Sequence, residues 1–501
     1  MEPNPEFKTQ SSQPRIKIEP FDIKEVGVIK EIKKGIIKIS GLPHCSYGQS
    51  VDIEDKAKGI IIGFDSQQAL ALILHDESSI DVGDAVWTRQ EIFEVPVGEV
   101  FLGCVINCLG EAIDAKGKIT SPNSRPVFYE AAAIIDRVPI TEPLYTGIKI
   151  IDTTLPIGKG QRELIIGDRV TGKTTLAVDT IINQQDKNVV CIYCWIGGSF
   201  SVLSRIVRVL QEKNTLPYTV VIAAAAYSPV SQQYLAPYFA AAMGEYFMYQ
   251  GRDVLVVFDD LTKHAWAWRQ LSLLLDRPPG REAYPGDIFY THSQLMERAG
   301  RLSPELGSGS MTFLPIIETQ QGDVTGYIPS NLISMTDGQI YLATGLFHEG
   351  FKPAIDLGLS VSRIGSKVQC DAMKEVSSRL RLEYAQYRDL QRLSRLKTRT
   401  ATALSERLKK GEVLRELFIQ PAHTTVSWQE EVILFYAYQR NILDMLPVEG
   451  LENFKYKVYS YLLQNQPALL KELTEEKSLT KRIKAQLDQS FLDFLKAEKI
   501  V

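Results

Sequence analysis

The chain has 501 residues, and 56 Lys and Arg against 60 Asp and Glu give a formal net charge of −4. Hydrophobic residues at 45% and charged residues at 23% exclude collagen-like, fibrous and wholly disordered proteins. The near-neutral charge argues against a protein that grips nucleic acid by bulk electrostatics. No apolar run approaches the roughly 18 residues that a membrane span needs, and the N-terminus lacks the features of a secretory signal. These properties predict a soluble, intracellular protein of about three domains.

The six cysteines predict reduced thiols rather than a metal site or disulfides. Cys191 and Cys194 form a C-x-x-C pair without a second pair at zinc spacing. They lie in the apolar run Val189–Ile196, which is typical of a buried strand.

The pattern changes three times along the chain. A Pro-punctuated polar leader is expected over residues 1–25. Short alternating apolar runs over residues 26–97 predict a small β-barrel. Over residues 98–372, apolar strands alternate with helix-length segments, which predicts parallel βαβ units in an α/β domain. Helical apolar spacing over residues 373–501, for example in the segments Met373–Leu393 and Gln429–Leu446, predicts a C-terminal helical domain.

The strongest motif is a full G-x-x-x-x-G-K-T phosphate loop between a predicted strand and a predicted helix. Its glycines let backbone amides face phosphate oxygens, and the helix N-terminus adds its dipole. The lysine is expected to reach the β- and γ-phosphates, and the threonine hydroxyl is expected to coordinate Mg²⁺. The predicted nucleotide-binding residues of this loop are Gly167, Asp168, Arg169, Val170, Thr171, Gly172, Lys173 and Thr174.

A second metal-binding oxygen is expected at the carboxyl end of a neighbouring strand. The run Val254–Phe258 is followed directly by Asp259 and Asp260. Asp259 is the better candidate to hold Mg²⁺ through water, because it comes immediately after the apolar run. Without the phosphate loop, the same residue would be interpreted as a capping aspartate.

Binding phosphate does not by itself give hydrolysis, which also needs a carboxylate near the attacking water and a cation for the transferring phosphoryl group. After the strand that ends at Ile196, the chain continues Gly197-Gly198-Ser199-Phe200-Ser201, without an acid. The residues therefore predict a nucleotide-binding site that is poorly equipped to cleave.

Long ordered blocks accompany this loop: Pro156–Arg169, Leu235–Tyr238, Met243–Phe247, Leu273–Asp287, Pro315–Thr319, Thr336–Ile340 and Gly358–Ser366. Together they closely resemble the α subunits of F-type ATP synthases, from about Val26 to the C-terminus and less strongly after about Arg392. The resemblance implies a barrel crown, a RecA-like nucleotide domain and a helical bundle. It also implies a hexamer in which α subunits alternate with catalytic β subunits around a central γ shaft.

The resemblance assigns functional residues beyond the phosphate loop. Arg363 matches the arginine finger that enters the neighbouring β site, and Ser360 matches a position that the family needs for activity. Ser334 matches a position near the catalytic phosphate. Both serines are also interpretable as turn hydroxyls. Gln420 matches a nucleotide-binding glutamine, and ATP or ADP with Mg²⁺ are the expected cofactors.

The sequence departs from the family at four positions around the nucleotide. Val170 and Gly198 stand where glutamine is usual, Lys352 where arginine is usual, and Ala422 where the second glutamine of a Gln-x-Gln is usual. Each lost neutral hydrogen bond costs about 1 kcal/mol. The lost donors should weaken binding or change the base contacts, and we therefore expect a weaker non-catalytic site that still binds Mg-ATP through the intact loop.

Two further departures concern contacts with other subunits. The Pro-punctuated leader replaces an amphipathic helix that meets the peripheral stalk, and the basic run Arg395–Arg399 stands where acidic residues are frequent. The expected partners are β subunits, the γ shaft and peripheral-stalk subunits, without nucleic acid. The expected location is peripheral, on the cytoplasmic face of an energy-coupling membrane, bacterial or organellar.

Three alternatives remain open from the sequence. A self-sufficient export ATPase of the same superfamily would carry its own glutamate in the Gly197-Gly198 region. A Rho-like RNA translocase would need a basic, aromatic platform in the barrel. A pure assembly subunit would differ from the preferred interpretation only in the role of Arg363.

Overall fold

The computed structural model describes residues 25–54, 56–64, 67–74, 80–114, 117–394 and 402–498. The predicted leader, apart from its last residue, and the basic run Arg395–Arg399 lie outside the described residues. No helix in the described ranges is long and apolar enough to cross a membrane.

The N-terminal domain is a closed antiparallel barrel, as the alternating pattern predicts. Its strands follow the barrel in the order β1-β2-β5-β4-β3-β6, and β6 pairs with β1 to close it. Lys34 and Gly35 form the turn between the first two strands, with positive φ angles of 40° and 87°. Side chains such as Ile29, Ile37 and Ile61 fill its interior. The six strands are β1 (Val26–Lys33), β2 (Ile36–Ser40), β3 (Gln49–Ile53), β4 (Ala57–Phe64), β5 (Ala69–Ile73) and β6 (Ala85–Ile92).

The central domain alternates strands and helices, as expected for βαβ units. Its strands are β7 (Glu94–Val97), β8 (Val105–Ile106), β9 (Asn123–Pro126), β10 (Glu163–Gly167), β11 (Val189–Ile196), β12 (Thr219–Ala224), β13 (Asp253–Asp259), β14 (Gly300–Arg301), β15 (Ser310–Glu318), β16 (Gly338–Leu342) and β17 (Val361–Ser362). Its helices are α1 (Lys149–Thr154), α2 (Lys173–Ile182), α3 (Phe200–Glu212), α4 (Val230–Met248), α5 (Leu261–Leu274), α6 (Ile288–Met296), α7 (Tyr327–Met335) and α8 (Thr344–His348).

The main sheet has the order β17-β16-β10-β15-β13-β11-β12-β8, and the seven strands from β16 to β8 are parallel. Every residue of β11 is buried, including the free thiols of Cys191 and Cys194, which confirms the predicted buried strand. The carboxyl ends of parallel strands lie along the same side of a sheet. That side therefore carries the last residues of β10, β13, β15 and β16, which are Gly167, Asp259, Glu318 and Leu342. The candidate site described below lies at these carboxyl ends.

The C-terminal domain is helical, as predicted. It consists of α9 (Asp371–Ser377), α10 (Leu380–Ser394), α11 (Thr402–Phe418), α12 (Trp428–Gln439), α13 (Val448–Asn465), α14 (Pro467–Glu476) and α15 (Lys481–Ala497). The predicted single stretch Met373–Leu393 is wrong, because α9 ends at Ser377 and α10 begins at Leu380. Helix α12 forms the centre of the bundle, with its residues 431–438 buried.

Candidate nucleotide site

The phosphate loop leaves the sheet at Gly167 and enters α2 at Lys173, which confirms the predicted strand–loop–helix context. Both glycines are needed for its path. A Cβ on Gly167 would lie 2.6 Å from the carbonyl oxygen of Leu342, and Gly172 has a φ of 100°, in the left-handed region. The loop therefore turns tightly in front of the N-terminus of α2, where backbone amides can face a phosphate.

Lys173 is folded back onto its own loop. Its Nζ donates hydrogen bonds to the carbonyl oxygens of Gly167 and Asp168, at 2.9 and 2.6 Å. Burial lowers the pKa of this lysine, and the nearby carboxylates, Glu318 and Asp260 foremost, oppose that change. The ammonium thus lies within the loop, where a phosphate can replace the carbonyl oxygens as its partner.

The two predicted metal-binding side chains lie in contact. The Thr174 hydroxyl donates to Asp259 Oδ2 at 2.7 Å, and the Tyr193 hydroxyl donates to the same oxygen at 2.8 Å. Burial raises the pKa of Asp259, and these two hydrogen bonds work against that increase. A carboxylate and a hydroxyl are ligand types that suit Mg²⁺, so these residues fit the ion. Tyr193 was missed by the sequence analysis, although it lies three residues before the end of β11.

Asp168 and Arg169 stabilise the phosphate loop through side-chain contacts with neighbouring segments. Asp168 accepts hydrogen bonds from the hydroxyls of Thr319 and Thr344, at 2.7 and 2.9 Å. The Nε of Arg169 lies 2.9 Å from Glu318 Oε2 at the end of β15. In this arrangement the two side chains fix the loop to the end of β15, to the following Thr319 and to the start of α8, and their contact with nucleotide stays a prediction.

Val170 occupies the tip of the loop with a φ of 61° and a side chain that is 84% exposed. A β-branched residue is strained at this φ. The neighbouring Thr171 is buried, and its hydroxyl donates to the carbonyl oxygen of Asp168 at 2.8 Å. The tip therefore presents an apolar side chain where the family usually has an amide.

A cavity of about 350 Å³ opens beside the loop. Its lining includes Thr171, Gly172 and Thr175 of the loop and α2, and also Gly350, residues 352–354 and residues 419–422. Gln420 lies in this wall, as expected, but its amide is used: Oε1 accepts from the backbone N–H of Lys149 at 3.1 Å, and Nε2 donates to the carbonyl oxygens of Gly147 and Thr424 at 2.7 and 2.6 Å. Its contact with nucleotide stays a prediction.

Gly198 and Trp195 are packed as a pair that the sequence analysis did not recognise. A Cβ on Gly198 would lie 2.1 Å from Cζ2 and 2.5 Å from Cε2 of the indole. The indole is buried, and its Nε1 has no hydrogen-bond partner in the part of the chain that the structure describes. Lys263 Nζ lies 5.8 Å from its ring centroid. The volume that a side chain at position 198 would take is therefore filled by Trp195.

Arg363 lies near the amino-terminal ends of β16 and β10, whereas the phosphate loop follows the carboxyl end of β10. Its backbone N–H donates to the carbonyl oxygen of Asp337, immediately before β16. The first residue of β16 pairs with Glu163, the first residue of β10. Strand β10 then rises about 13 Å to Gly167. Arg363 is exposed, and within the described ranges no hydrogen bond or ion pair engages its guanidinium.

Ser360 and Ser334 are engaged with backbone. The buried Ser360 hydroxyl donates to the carbonyl oxygen of Asp356 at 2.6 Å and accepts from the backbone N–H of Tyr341 at 2.9 Å. Ser334 donates to the carbonyl oxygen of Asn331 at 2.6 Å. Ser360 thus fixes the loop that leads to Arg363, and a direct catalytic contact by it stays a prediction.

The strand–loop–helix cradle at the carboxyl edge of a parallel sheet, between a barrel and a helical bundle, defines a P-loop nucleotide-binding protein. Residues 147–362 match the family model described as the nucleotide-binding domain of the ATP synthase alpha/beta family. Residues 369–494 match the model of the C-terminal domain of the ATP synthase alpha/beta chain.

Full-length relatives sharpen this assignment. The chain is 46% identical to ATP synthase subunit alpha of Petrotoga mobilis over 500 residues, which cover 99% of each chain. It is also 46% identical to the subunits of the same name from Caldanaerobacter subterraneus and Clostridium botulinum, over 95% and 93% of each chain. The chain therefore belongs to the ATP synthase alpha/beta family, in the branch of the alpha subunits, which confirms the resemblance inferred from the sequence.

Proposed function

We propose that this chain is a non-catalytic α subunit of a rotary F-type ATP synthase. It binds Mg-ATP or Mg-ADP at its own phosphate loop and supplies Arg363 to the catalytic site of an adjacent β subunit. Ion movement through the membrane sector is thereby coupled to ATP synthesis or hydrolysis. The observation that supports this proposal best is the position of Arg363 near the amino-terminal ends of β10 and β16, because the chain's own phosphate loop follows the carboxyl end of β10.

The loop geometry supports binding of a magnesium nucleotide. The amides of residues 167–174 and the ammonium of Lys173 would hold the phosphates. The Thr174 hydroxyl would bind Mg²⁺ directly and Asp259 would hold it through water, which agrees with their contact at 2.7 Å. The Mg²⁺ would neutralise charge between the β- and γ-phosphates.

The surroundings of Gly198 support a non-catalytic role. Hydrolysis needs a group that orients or polarises the attacking water. Residue 198 has no side chain, and the Trp195 indole fills the adjacent volume. The same observation disfavours a self-sufficient export ATPase, which would need its own acid in this region.

Arg363 is suited to act in trans. A guanidinium stabilises charge that develops on a transferring phosphoryl group, and it does so only when it can reach that group. Because its own loop lies about 13 Å away along β10, the reachable phosphate belongs to another subunit. The proposed partners are therefore β subunits in an alternating hexamer, together with the γ shaft and the peripheral stalk. Through them the chain would lie on the cytoplasmic face of an energy-coupling membrane.

The experiment is reconstitution of the complex with Arg363→Lys. We expect ATP turnover to fall by a factor of about 10³ or more, because lysine lacks the planar, five-donor guanidinium. Nucleotide bound at the α sites should be unchanged. Arg89→Lys is the matched control, since Arg89 pairs with Asp52 on the barrel surface. Equal turnover by the two variants would reject the finger and leave an assembly role.

A further inference from the structure

We propose that Arg381 is a positioning residue for Arg363, because it holds the loop that leads to the arginine finger against the C-terminal helical domain. This inference rests on the proposed role of Arg363 in the β site and names what fixes the finger in place. It comes from the hydrogen bonds of Arg381, which belongs to α10. We call residues 356–360, which lead to β17 and Arg363, the finger loop.

The finger loop is irregular and is tied to the sheet on one side. Residues 357–359 form a turn, and the Asp356 carboxylate accepts the backbone N–H of Gly358 at 2.8 Å. The Ser360 hydroxyl connects the loop to β16 by accepting the backbone N–H of Tyr341. The following strand, β17, has two residues. A segment with so little regular structure needs a second anchor to keep Arg363 in one position.

Arg381 provides an anchor from the other side. Its Nη2 donates hydrogen bonds to the carbonyl oxygens of Leu357 and Ser360, at 2.8 and 2.6 Å. These carbonyls lie at the start and just after the end of the turn, so a shift of either one breaks a bond to the same nitrogen. Arg363 follows three residues after Ser360, at most about 10 Å along the chain. The guanidinium of Arg381 therefore fixes the base from which the arginine finger extends.

The helix that carries Arg381 is itself fixed by burial. Leu380 and Tyr384, which flank Arg381 in α10, are 1% and 3% exposed and pack in the hydrophobic core. The position of Arg381 is thus set by the C-terminal domain, whereas Ser360 is held by the sheet. A change in how the helical domain lies against the sheet would therefore move Arg363.

A second arginine on the same helix provides a matched comparison. Arg381 and Arg388 both line a cavity of about 290 Å³ between α10 and the finger loop. Arg388 donates instead to the Glu349 carboxylate at 3.2 Å, immediately after α8. Loss of Arg388 therefore removes a positive charge from the same cavity while both bonds from Arg381 to the finger loop remain.

A displaced arginine finger should slow the chemical step rather than weaken substrate binding, because the guanidinium acts on charge that develops in the transition state. A misplacement of about 1 Å can cost about 100-fold in rate. We therefore expect kcat to fall by about 10- to 100-fold in Arg381→Met, with the KM for Mg-ATP little changed. Arg381→Lys keeps an ammonium whose three donors can bond to both carbonyls, so it should restore most of the turnover.

The test is ATP hydrolysis by the reconstituted complex with Arg381→Met, Arg381→Lys or Arg388→Met. A lower kcat in Arg381→Met, with recovery in Arg381→Lys and parent-like turnover in Arg388→Met, supports the inference. Equal losses in Arg381→Met and Arg388→Met, or parent-like turnover in Arg381→Met, overturn it. If Arg381→Met does not assemble, Arg381→Gln is measured against the same expectations, because its shorter amide should not reach both carbonyls.

The same substitution in an Arg363→Lys background separates this inference from the proposed function. If Arg381 acts through the finger, Arg381→Met should add little to the loss caused by Arg363→Lys. A further fall by the full factor would show that Arg381 acts elsewhere and would overturn the inference. Parent-like turnover in Arg363→Lys would reject the finger, and this inference with it. A loss in Arg363→Lys without a loss in Arg381→Met would leave the finger in place and reject the positioning role alone.

Discussion

The packing of Trp195 against Gly198 predicts that even one methyl group at position 198 destabilises the protein. In Gly198→Ala, the new Cβ would lie 2.1 Å from Cζ2 of the indole, and ordinary carbon contacts are about 3.5 to 4.0 Å. The buried indole or the loop must therefore shift by about 1.5 Å. Overpacking of this kind costs about 1 to 3 kcal/mol.

The assay is thermal and urea unfolding of the purified chain. For a domain of this size, 1 kcal/mol lowers Tm by about 2 to 4 °C, so Gly198→Ala should lose about 2 to 12 °C. Gly286→Ala is the matched control, because a Cβ on Gly286 would meet nothing within 4 Å. It should remain within about 0.5 kcal/mol of the parent chain.

A double-mutant cycle with Trp195→Phe assigns the cost to the pair. In the phenylalanine background, Gly198→Ala should cost less than about 0.5 kcal/mol, because the smaller ring leaves room for the methyl group. If Gly198→Ala is as stable as Gly286→Ala, or if its cost is unchanged by Trp195→Phe, the indole does not fill this volume. Position 198 would then have room for an acidic side chain.

Two other predictions concern the metal and a buried acid. Thr174→Val removes the hydroxyl ligand and should weaken Mg-nucleotide binding by about 10- to 100-fold, while binding measured in EDTA should change little. Glu431 is fully buried, and both of its carboxylate oxygens lack hydrogen-bond partners among the described residues. Burial raises its pKa well above 4.5; Asp152 and Glu430 raise it further, and Lys149 opposes them. The folded chain therefore binds a proton that the unfolded chain releases, so stability falls as pH rises from about 4.5. Glu431→Gln should remove this loss of stability. In urea unfolding, the variant's gain in stability over the parent chain should therefore be larger at pH 8 than at pH 5. An equal gain at both pH values would contradict the prediction.

The sequence predicts most of the fold because its signals are local. A strand, a glycine loop and a helix follow one another over residues 163–182, so the phosphate site needs no long-range information. The position of Asp259 near the phosphate loop could be inferred because the carboxyl ends of parallel strands lie along the same side of the sheet. The structure brings it to Thr174 as expected.

The structural features that the sequence did not predict depend on contacts between side chains, some of them far apart in the sequence. The orientation of Trp195 over Gly198 and the hydrogen bond from Tyr193 to Asp259 cannot be read from periodicity, although an aromatic residue close to a Gly-Gly pair is a usable signal. The amide of Gln420 bonds to residues more than 270 positions away in the sequence. Motif matching therefore identified Gln420 without showing that its polar atoms are already in use.

The end of α12 shows a local signal that was overlooked. Helical spacing predicted one segment over Gln429–Leu446, but the helix ends at Gln439, and Asn441 adopts a φ of 57°. Asparagine tolerates the left-handed conformation that ends helices. The breaks in the C-terminal domain thus follow from capping residues, which apolar periodicity does not register.

We expect this chain to bind a nucleotide without turning it over. The most direct measurement is ATP binding and ATP hydrolysis by the purified chain in the absence of other subunits, at saturating Mg²⁺. We expect one nucleotide bound per chain and hydrolysis at background level, with turnover appearing only when a β-type partner is added. Sustained ATP turnover by the chain alone would contradict it.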